Sequence, residues 1–205
     1  MNSAETVRLE PHEIALLRGG PRAAVTVAIV ALHLRGAVEA GRPGTMRVSG
    51  AGDADAGQPP PSRTHPEGLE KAVLESLHEP AGLRKLAKRP DIRLAVALMR
   101  VGLAEAGLLR YPLLGPTRAT RRHVRDLRER HPLPASRRGM SEHDKLLAVA
   151  LHGEAALSAL VPRFALRAGL TGRAEVADKG LLRHSPRGGT GGAAYSCGGG
   201  DGGSD

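Results

Sequence analysis

The sequence predicts a mainly α-helical protein, with a compact helical domain at residues 9–172 and a disordered tail at residues 173–205. Three observations lead to this prediction. Only three of the 205 residues are aromatic, so a core of alanine, leucine and valine is expected to pack helix against helix. Residues 23–34 are apolar nearly all round, which is typical of a helix buried in a protein or a membrane. The glycine-rich tail holds too few apolar side chains to fold alone.

The central stretch of the sequence predicts a helix, a break and a second, buried helix. Pro21 follows Gly19 and Gly20, and proline favours the first helical position because its missing N–H has no partner there. We expect the helix that starts at Pro21 to stop at Gly36, where glycine accepts a left-handed backbone. About a dozen apolar residues span roughly 18 Å, short of the ~30 Å hydrocarbon core. The sequence therefore predicts a core helix and no transmembrane span.

A small β-hairpin is predicted directly after this helix. Residues 37–40 and 45–48 form two short runs, and the Gly-Arg-Pro-Gly between them is typical of a hairpin loop. A helix followed by such a hairpin is winged-helix-like. In that motif the helix before the wing presents polar side chains to base edges, and residues 23–34 cannot do so. Any nucleic-acid binding is therefore expected to use phosphate contacts from other surfaces.

Helical periodicity, N-caps and glycine stops predict the remaining helices. They are expected at residues 68–79, 81–88, 91–106, 117–130, 141–152, 155–160 and 163–168. Asp91 and Ser141 are the expected N-caps, and Asp144 completes an approximate capping box with Ser141. Residues 50–66 contain four prolines and little to bury, so they predict a flexible internal loop.

The charge of the chain favours anionic partners. Thirty lysines and arginines against 21 acidic residues give a formal net charge of +9, which permits contact with acidic proteins, lipid headgroups or nucleic acid. Two basic clusters are candidate anion-binding sites. They are Arg84, Lys85, Lys88 and Arg89, and a helical stripe of Arg118, Arg121, Arg122 and Arg125. The alternative is a solvated helix face, because Asp126 and Glu129 lie four residues after Arg122 and Arg125.

The sequence predicts no enzyme and no metal site. The nine histidines form no H-E-x-x-H motif, and the single Cys197 lies in the glycine-rich tail without a partner base. No catalytic residue, cofactor or small-molecule substrate is expected. The single cysteine agrees with a reducing compartment. No signal-peptide core is found near Met1, so a cytoplasmic location with peripheral membrane attachment is expected.

Several segments resemble an uncharacterised actinobacterial domain family. They are LEPHEIALLRGGPRAAVTVAIVALHLRGAVEAG at residues 9–41, a second helical block from GLEKAVLESLHEP to AGLLR, an arginine-rich helix, LLAVALHGEAAL and the glycine tail. The opening E-I-A-L-L-R-G-G-P is the most specific part. Members of this family are usually labelled only as domain-containing membrane proteins, and many end in a Gly- and Cys-rich tail. The order of ALHLRGAVEAG, AGLLR and the arginine-rich helix is also similar to Golgi-phosphoprotein-like helical proteins. That resemblance implies binding of phosphoinositides at membranes.

Three functions follow as expectations. The leading interpretation is a non-catalytic helical interaction module that acts at the cytoplasmic membrane surface, with an anionic lipid surface or a protein as partner. The alternative is a winged-helix-like nucleic-acid-binding or regulatory protein. The third is a binder of phosphoinositides or other anionic headgroups of the Golgi-phosphoprotein-like type.

Overall fold

The computed structural model describes residues 9–50, 68–110, 115–134, 136 and 138–171. These residues form eight helices and four short strands, so the mainly α prediction is confirmed. The predicted tail, Cys197 and all of the predicted internal loop except Gly50 lie outside the described residues. The elements are α1 Pro11–Leu34, β1 Val38–Ala40, β2 Met46–Val48, α2 Gly68–Ser76, α3 Leu83–Leu86, α4 Pro90–Glu105, β3 Leu109–Arg110, β4 Gly115–Pro116, α5 Arg118–Arg130, α6 Glu142–His152, α7 Glu154–Leu160 and α8 Pro162–Arg167.

Helix α1 is two helical segments joined at a kink. Gly20 has φ 74° and ψ −167°, outside the helical region and in a conformation that is nearly restricted to glycine. Pro21 follows it and opens the second segment, so the predicted Gly-Gly break is confirmed. Gly19 is also tightly placed, since a Cβ there would lie 2.9 Å from the Cβ of Ala23. The kink sets the direction in which the two segments leave residue 20.

The second segment of α1 forms the centre of the hydrophobic core. Residues 27–32 are each at most 2% exposed, and the helix packs against α2 and α6. Within the described part of the chain, α1 is the one helix long and apolar enough to cross a bilayer, and 61% of its most apolar 18-residue window is buried in the domain. The sequence estimate of length counted only residues 23–34, whereas the structure adds the segment before the kink. Core helices of soluble proteins can be equally long and apolar, so length and composition do not distinguish a core helix from a membrane span here.

The predicted hairpin after α1 is present. Gly36, with φ 75°, ends the helical turn, and β1 pairs antiparallel with β2 in the register Val38↔Val48. The His33 ring stacks on Phe164 with ring centroids 3.7 Å apart, and its Nδ1 lies 3.0 Å from the Val38 carbonyl oxygen. Met46 forms an isolated antiparallel β-bridge with Ala81, which lies shortly before α3. The hairpin therefore contacts α1 through Val38 and the segment before α3 through Met46.

A second hairpin lies where the sequence predicted only a turn. Leu109 pairs with Pro116 and Arg110 with Gly115, and residues 111–114 between them lie outside the described part. Glycine and proline disfavour strands, so composition did not indicate this pairing. The hairpin connects α4 to α5.

Every predicted helix has an observed counterpart, and one predicted N-cap is wrong. The N-cap of α4 is Arg89 and not Asp91, because Pro90 occupies the first helical position and the cap lies two residues earlier than predicted. The predicted cap at Ser141 is confirmed. Its Oγ accepts a hydrogen bond from the Asp144 backbone N–H at 3.1 Å and donates one to Asp144 Oδ2 at 2.7 Å.

Candidate anion-binding site

A cavity of about 540 Å³ opens between α1, α4, the second hairpin and α5. Its apolar lining comes from Leu16, Leu17, Leu109 and Val124, all of which are buried. Its polar lining is almost entirely cationic. We call it the arginine pocket, after the five arginines that line it, namely Arg18, Arg100, Arg121, Arg125 and Arg128.

Helix α5 supplies three of these arginines because of its helical spacing. Thr120 and Val124 form its buried face. Arg121, Arg125 and Arg128 follow at i, i+4 and i+7, so they share one edge of the helix, next to that face. The three guanidinium groups therefore reach the pocket while the backbone of α5 stays packed on the domain.

Thr120 fixes α5 to the rest of the pocket. Its hydroxyl donates a hydrogen bond to the Leu108 carbonyl oxygen at 2.8 Å, and the residue is 2% exposed. Its backbone N–H donates to the hydroxyl of Thr117, the N-cap, at 3.2 Å. Thr120 thus connects the start of α5 to Leu108, the residue directly before β3.

Arg18 lines the pocket from α1, and the residue as a whole is exposed. Its Nε donates a hydrogen bond to the Ala150 carbonyl oxygen at 2.6 Å. A Cβ at Gly153 would lie 2.9 Å from Arg18 Nη2, so the backbone of α6 meets the guanidinium closely at that point. Burial, and then the positive charge of Arg128, lower the pKa of Arg18. Arginine nevertheless keeps its proton at neutral pH, so the pocket holds a partly desolvated charge.

The arginines of the pocket lack acidic partners, although other arginines of the domain have them. Arg35 contacts Glu70 at 2.5 Å and Glu142 at 2.8 Å, and Arg47 contacts Glu39 at 2.7 Å. Burial lowers the pKa of Arg35, but its hydrogen bonds to the two carboxylates outweigh that effect and the pKa is raised. Among residues that the structure describes, no carboxylate lies within 4.0 Å of a pocket guanidinium. Five like charges therefore surround one cavity.

The structure divides the predicted stripe on α5. Arg121 and Arg125 line the pocket. Arg118 and Arg122 are exposed on the same helix and do not line the pocket. The expected i, i+4 ion pairs of Arg122 and Arg125 do not occur within 4.0 Å in the described part of the chain, so a salt-bridged surface does not explain these arginines.

The other predicted cluster, around α3, does not line the pocket. Lys85 Nζ lies 3.7 Å from a Glu79 carboxylate oxygen, and Arg89 Nη1 lies 3.5 Å from His78 Nε2. The two remaining members, Arg84 and Lys88, are exposed. The structure therefore separates the eight predicted anion-binding residues into two surfaces.

Sequence reasoning missed three of the five pocket arginines. Arg128 continues the stripe three residues beyond Arg125, so the helical pattern could have included it. Arg18 and Arg100 lie on two other helices, and no spacing in the sequence connects them to α5. Only the packing of α1 against both α4 and α5 brings them together.

The described residues contain no group of three or more His, Cys, Asp or Glu side chains that could hold a metal ion. No protein-family model, no curated protein and no solved structure matches this chain.

Proposed function

We propose that this domain is a non-catalytic interaction module that binds an anionic headgroup at a membrane surface, using the arginine pocket. The observation that supports the proposal is that five arginines from three helices line one cavity whose lining holds no acidic residue. Like charges held together oppose folding, and a bound anion removes that penalty. One of the five, Arg18, has a pKa lowered by burial, and a perturbed group in a cleft is a candidate for a functional site.

The pocket has the properties of a site for a phosphorylated or carboxylated amphiphile. Arginine presents a planar fork of donors that matches phosphate and carboxylate oxygens. The buried leucines and Val124 of the same cavity offer apolar contact beside those donors. Small-molecule sites commonly have volumes of about 300–1,000 Å³, and the pocket's roughly 540 Å³ lies in that range. A lipid headgroup with its adjoining glycerol combines both kinds of contact.

Nucleic acid is the second candidate, and one observation favours it. Arg118 and Arg122 are exposed on α5 and do not line the pocket, so a phosphodiester backbone could reach them. The helix before the first hairpin is buried in the core, so base readout by a winged-helix recognition helix is not part of this proposal.

The test is co-sedimentation of the full chain with phosphatidylcholine vesicles that contain or lack phosphatidylglycerol, across a salt series. The pocket variant is Arg121→Ala with Arg125→Ala. The matched control is Arg84→Ala with Lys88→Ala, which removes the same charge from two exposed residues outside the pocket. Each basic residue near an anionic surface contributes about 1 kcal/mol. We therefore expect the pocket variant to bind about 30-fold more weakly, and the control within about threefold of the wild type.

Inorganic pyrophosphate and duplex DNA, added as competitors, separate the sources of the anion. Displacement of vesicle-bound protein by pyrophosphate supports binding in the pocket. Pyrophosphate binding without vesicle binding would identify a soluble anion and overturn the membrane part of the proposal. Equal weakening of the pocket variant and its control would show that only net charge matters. Displacement from vesicles by DNA, together with tighter retention on DNA, would favour the second candidate.

A further inference from the structure

Arg18 is shared by two cavities of the domain. It lines the arginine pocket, and it also lines a smaller cavity of about 190 Å³ that is bordered by α1, α6 and α7. Arg18 is the residue common to both linings. The contacts that Arg18 makes on the side of the smaller cavity therefore affect the arginine pocket as well.

A neutral backbone group binds the guanidinium on that side. Arg18 Nε donates its hydrogen bond to the carbonyl oxygen of Ala150, in the last turn of α6, at 2.6 Å. Carbonyl groups in the last turn of a helix lack partners within the helix and carry a partial negative charge that attracts a cation. Glu154 also lines the smaller cavity, but in the described part of the chain it forms no ion pair with Arg18. Unlike the two carboxylates that bind Arg35, a carbonyl fixes the guanidinium without neutralising its charge.

Gly153, at the corner between α6 and α7, leaves room for this guanidinium. Its backbone has φ 61° and ψ −125°, a conformation that glycine adopts readily and other residues avoid. A Cβ at this position would lie 2.9 Å from Arg18 Nη2 and 3.3 Å from Nη1. The atoms in its way are the end of a long, flexible side chain, so an alanine here would displace the guanidinium.

We propose that the corner formed by the Ala150 carbonyl and Gly153 positions Arg18 for anion binding in the arginine pocket. This inference rests on the proposed function and assigns a positioning role to two residues outside the pocket lining. Burial, and then the positive charge of Arg128, lower the pKa of Arg18, so the guanidinium lies within electrostatic range of the α5 arginines.

A fixed arginine binds an anion at a lower entropic cost. Immobilising a long side chain on binding weakens the affinity, and a side chain that is already fixed in the free protein avoids that loss. The hydrogen bond to Ala150 uses only the Nε hydrogen of Arg18. Four N–H donors therefore remain on Nη1 and Nη2.

The test is a double-mutant cycle between Gly153→Ala and Arg18→Ala. Sedimentation with phosphatidylglycerol vesicles at low salt measures the affinity of the wild type, both single variants and the double variant. Gly36→Ala is the matched control, because Gly36 has φ 75°, would place its Cβ within 4 Å of no atom and lines neither cavity. Far-ultraviolet circular dichroism establishes that each variant is folded at the temperature of the assay.

We expect Arg18→Ala to bind about fivefold more weakly, the usual contribution of one basic residue near an anionic surface. Gly153→Ala should bind roughly three- to fivefold more weakly, and Gly36→Ala within about twofold of the wild type. In the Arg18→Ala background, Gly153→Ala should have less than about a twofold further effect, because no guanidinium is left to displace.

A second pair of variants leaves Gly153 intact. Arg18→Lys and Arg100→Lys each keep the charge of a pocket residue but remove its guanidinium. Only Arg18→Lys also removes the Nε hydrogen bond to Ala150, so it should weaken vesicle binding about threefold more than Arg100→Lys. This comparison decides the proposal if Gly153→Ala does not fold.

The outcomes separate the positioning role from the proposed function. Equal weakening by Gly153→Ala in the presence and absence of Arg18 would show that the glycine acts through the fold, and would overturn positioning alone. Unchanged binding of a folded Gly153→Ala variant, or equal effects of the two lysine variants, would overturn it too. No sedimentation of the wild type would overturn the proposed function and this inference together.

Discussion

Replacing Gly20 with alanine tests the kink that orients α1. An alanine Cβ at this position would meet no atom within 4 Å, so the effect comes from the backbone alone. A non-glycine residue at φ 74° and ψ −167° costs about 1–3 kcal/mol. Alanine also restricts the unfolded chain more than glycine does, which raises the free energy of unfolding by about 0.4–1 kcal/mol. We therefore expect Gly20→Ala to lower the free energy of unfolding by about 1–2 kcal/mol. For a chain of this size, that lowers Tm by roughly 2–8 °C.

Gly102→Ala is the matched control for Gly20→Ala. Gly102 lies inside α4 with no atom within 4 Å of its would-be Cβ and no positive φ. Alanine in a helix interior is more stable than glycine by about 0.5–1 kcal/mol, so this variant should gain stability. Urea unfolding followed by far-ultraviolet circular dichroism measures both. If both alanines stabilise the protein alike, α1 runs straight through residue 20 and the kink is refuted.

Three further variants test local contacts. Glu70→Gln keeps the shape of a residue that is 5% exposed but removes its charge beside Arg35. Arg35 is 23% exposed and keeps a second carboxylate partner, Glu142. We therefore expect the free energy of unfolding in urea to fall by about 1–3 kcal/mol, less than for a fully buried pair. An unchanged midpoint would contradict that pairing. Thr120→Val should lower stability by about 1–3 kcal/mol and weaken vesicle binding, because α5 loses its hydrogen bond to the strand after α4; a change in neither would refute its positioning role. Ser141→Ala should let the pKa of Asp144 rise towards its ordinary value, since the serine hydrogen bond is the main cause of its depression. The stability that this depressed pKa contributes is present above the unfolded-state pKa and is lost as pH falls through the folded-state pKa. A carboxyl NMR titration unaltered by the substitution would contradict this cause.

The helices could be predicted from the sequence because their signals are local. A proline at N1, a serine N-cap and a stop glycine act through neighbouring backbone groups, so the helix after Pro21 and the helix after Ser141 were found. The second hairpin was not, since Gly115 and Pro116 have low strand propensity and pair with residues 110 and 109 without a local signal for a strand. The N-cap at Asp91 failed for a local reason, as Pro90 competes for the helix start.

The arginine pocket shows where local reasoning ends. The arginine stripe on α5 was visible in the sequence, but its expected ion pairs with Asp126 and Glu129 are not formed among the described residues, and half of the stripe does not line the pocket. Arg18 and Arg100 are more than 80 residues apart, with no pattern that joins them. In the sequence, the five pocket arginines are not distinguishable from the other arginines of this basic chain. The structure shows that they line one cavity whose lining contains no carboxylate.

Arg18 connects the central helix with the proposed site. It lies in the first segment of the 24-residue helix α1, two residues before the kink at Gly20. An arginine at the centre of a membrane-spanning helix costs about 2.5–3.5 kcal/mol on insertion scales. In this fold the same arginine donates its Nε hydrogen to the Ala150 carbonyl oxygen and lines the pocket. The kink at Gly20 is what brings it there, because a straight α1 would change the angle between Arg18 and the buried segment that follows. Consequently Gly20→Ala should weaken binding of phosphatidylglycerol vesicles as well as stability, whereas Glu70→Gln, which acts away from the pocket, should lower stability and leave vesicle binding unchanged.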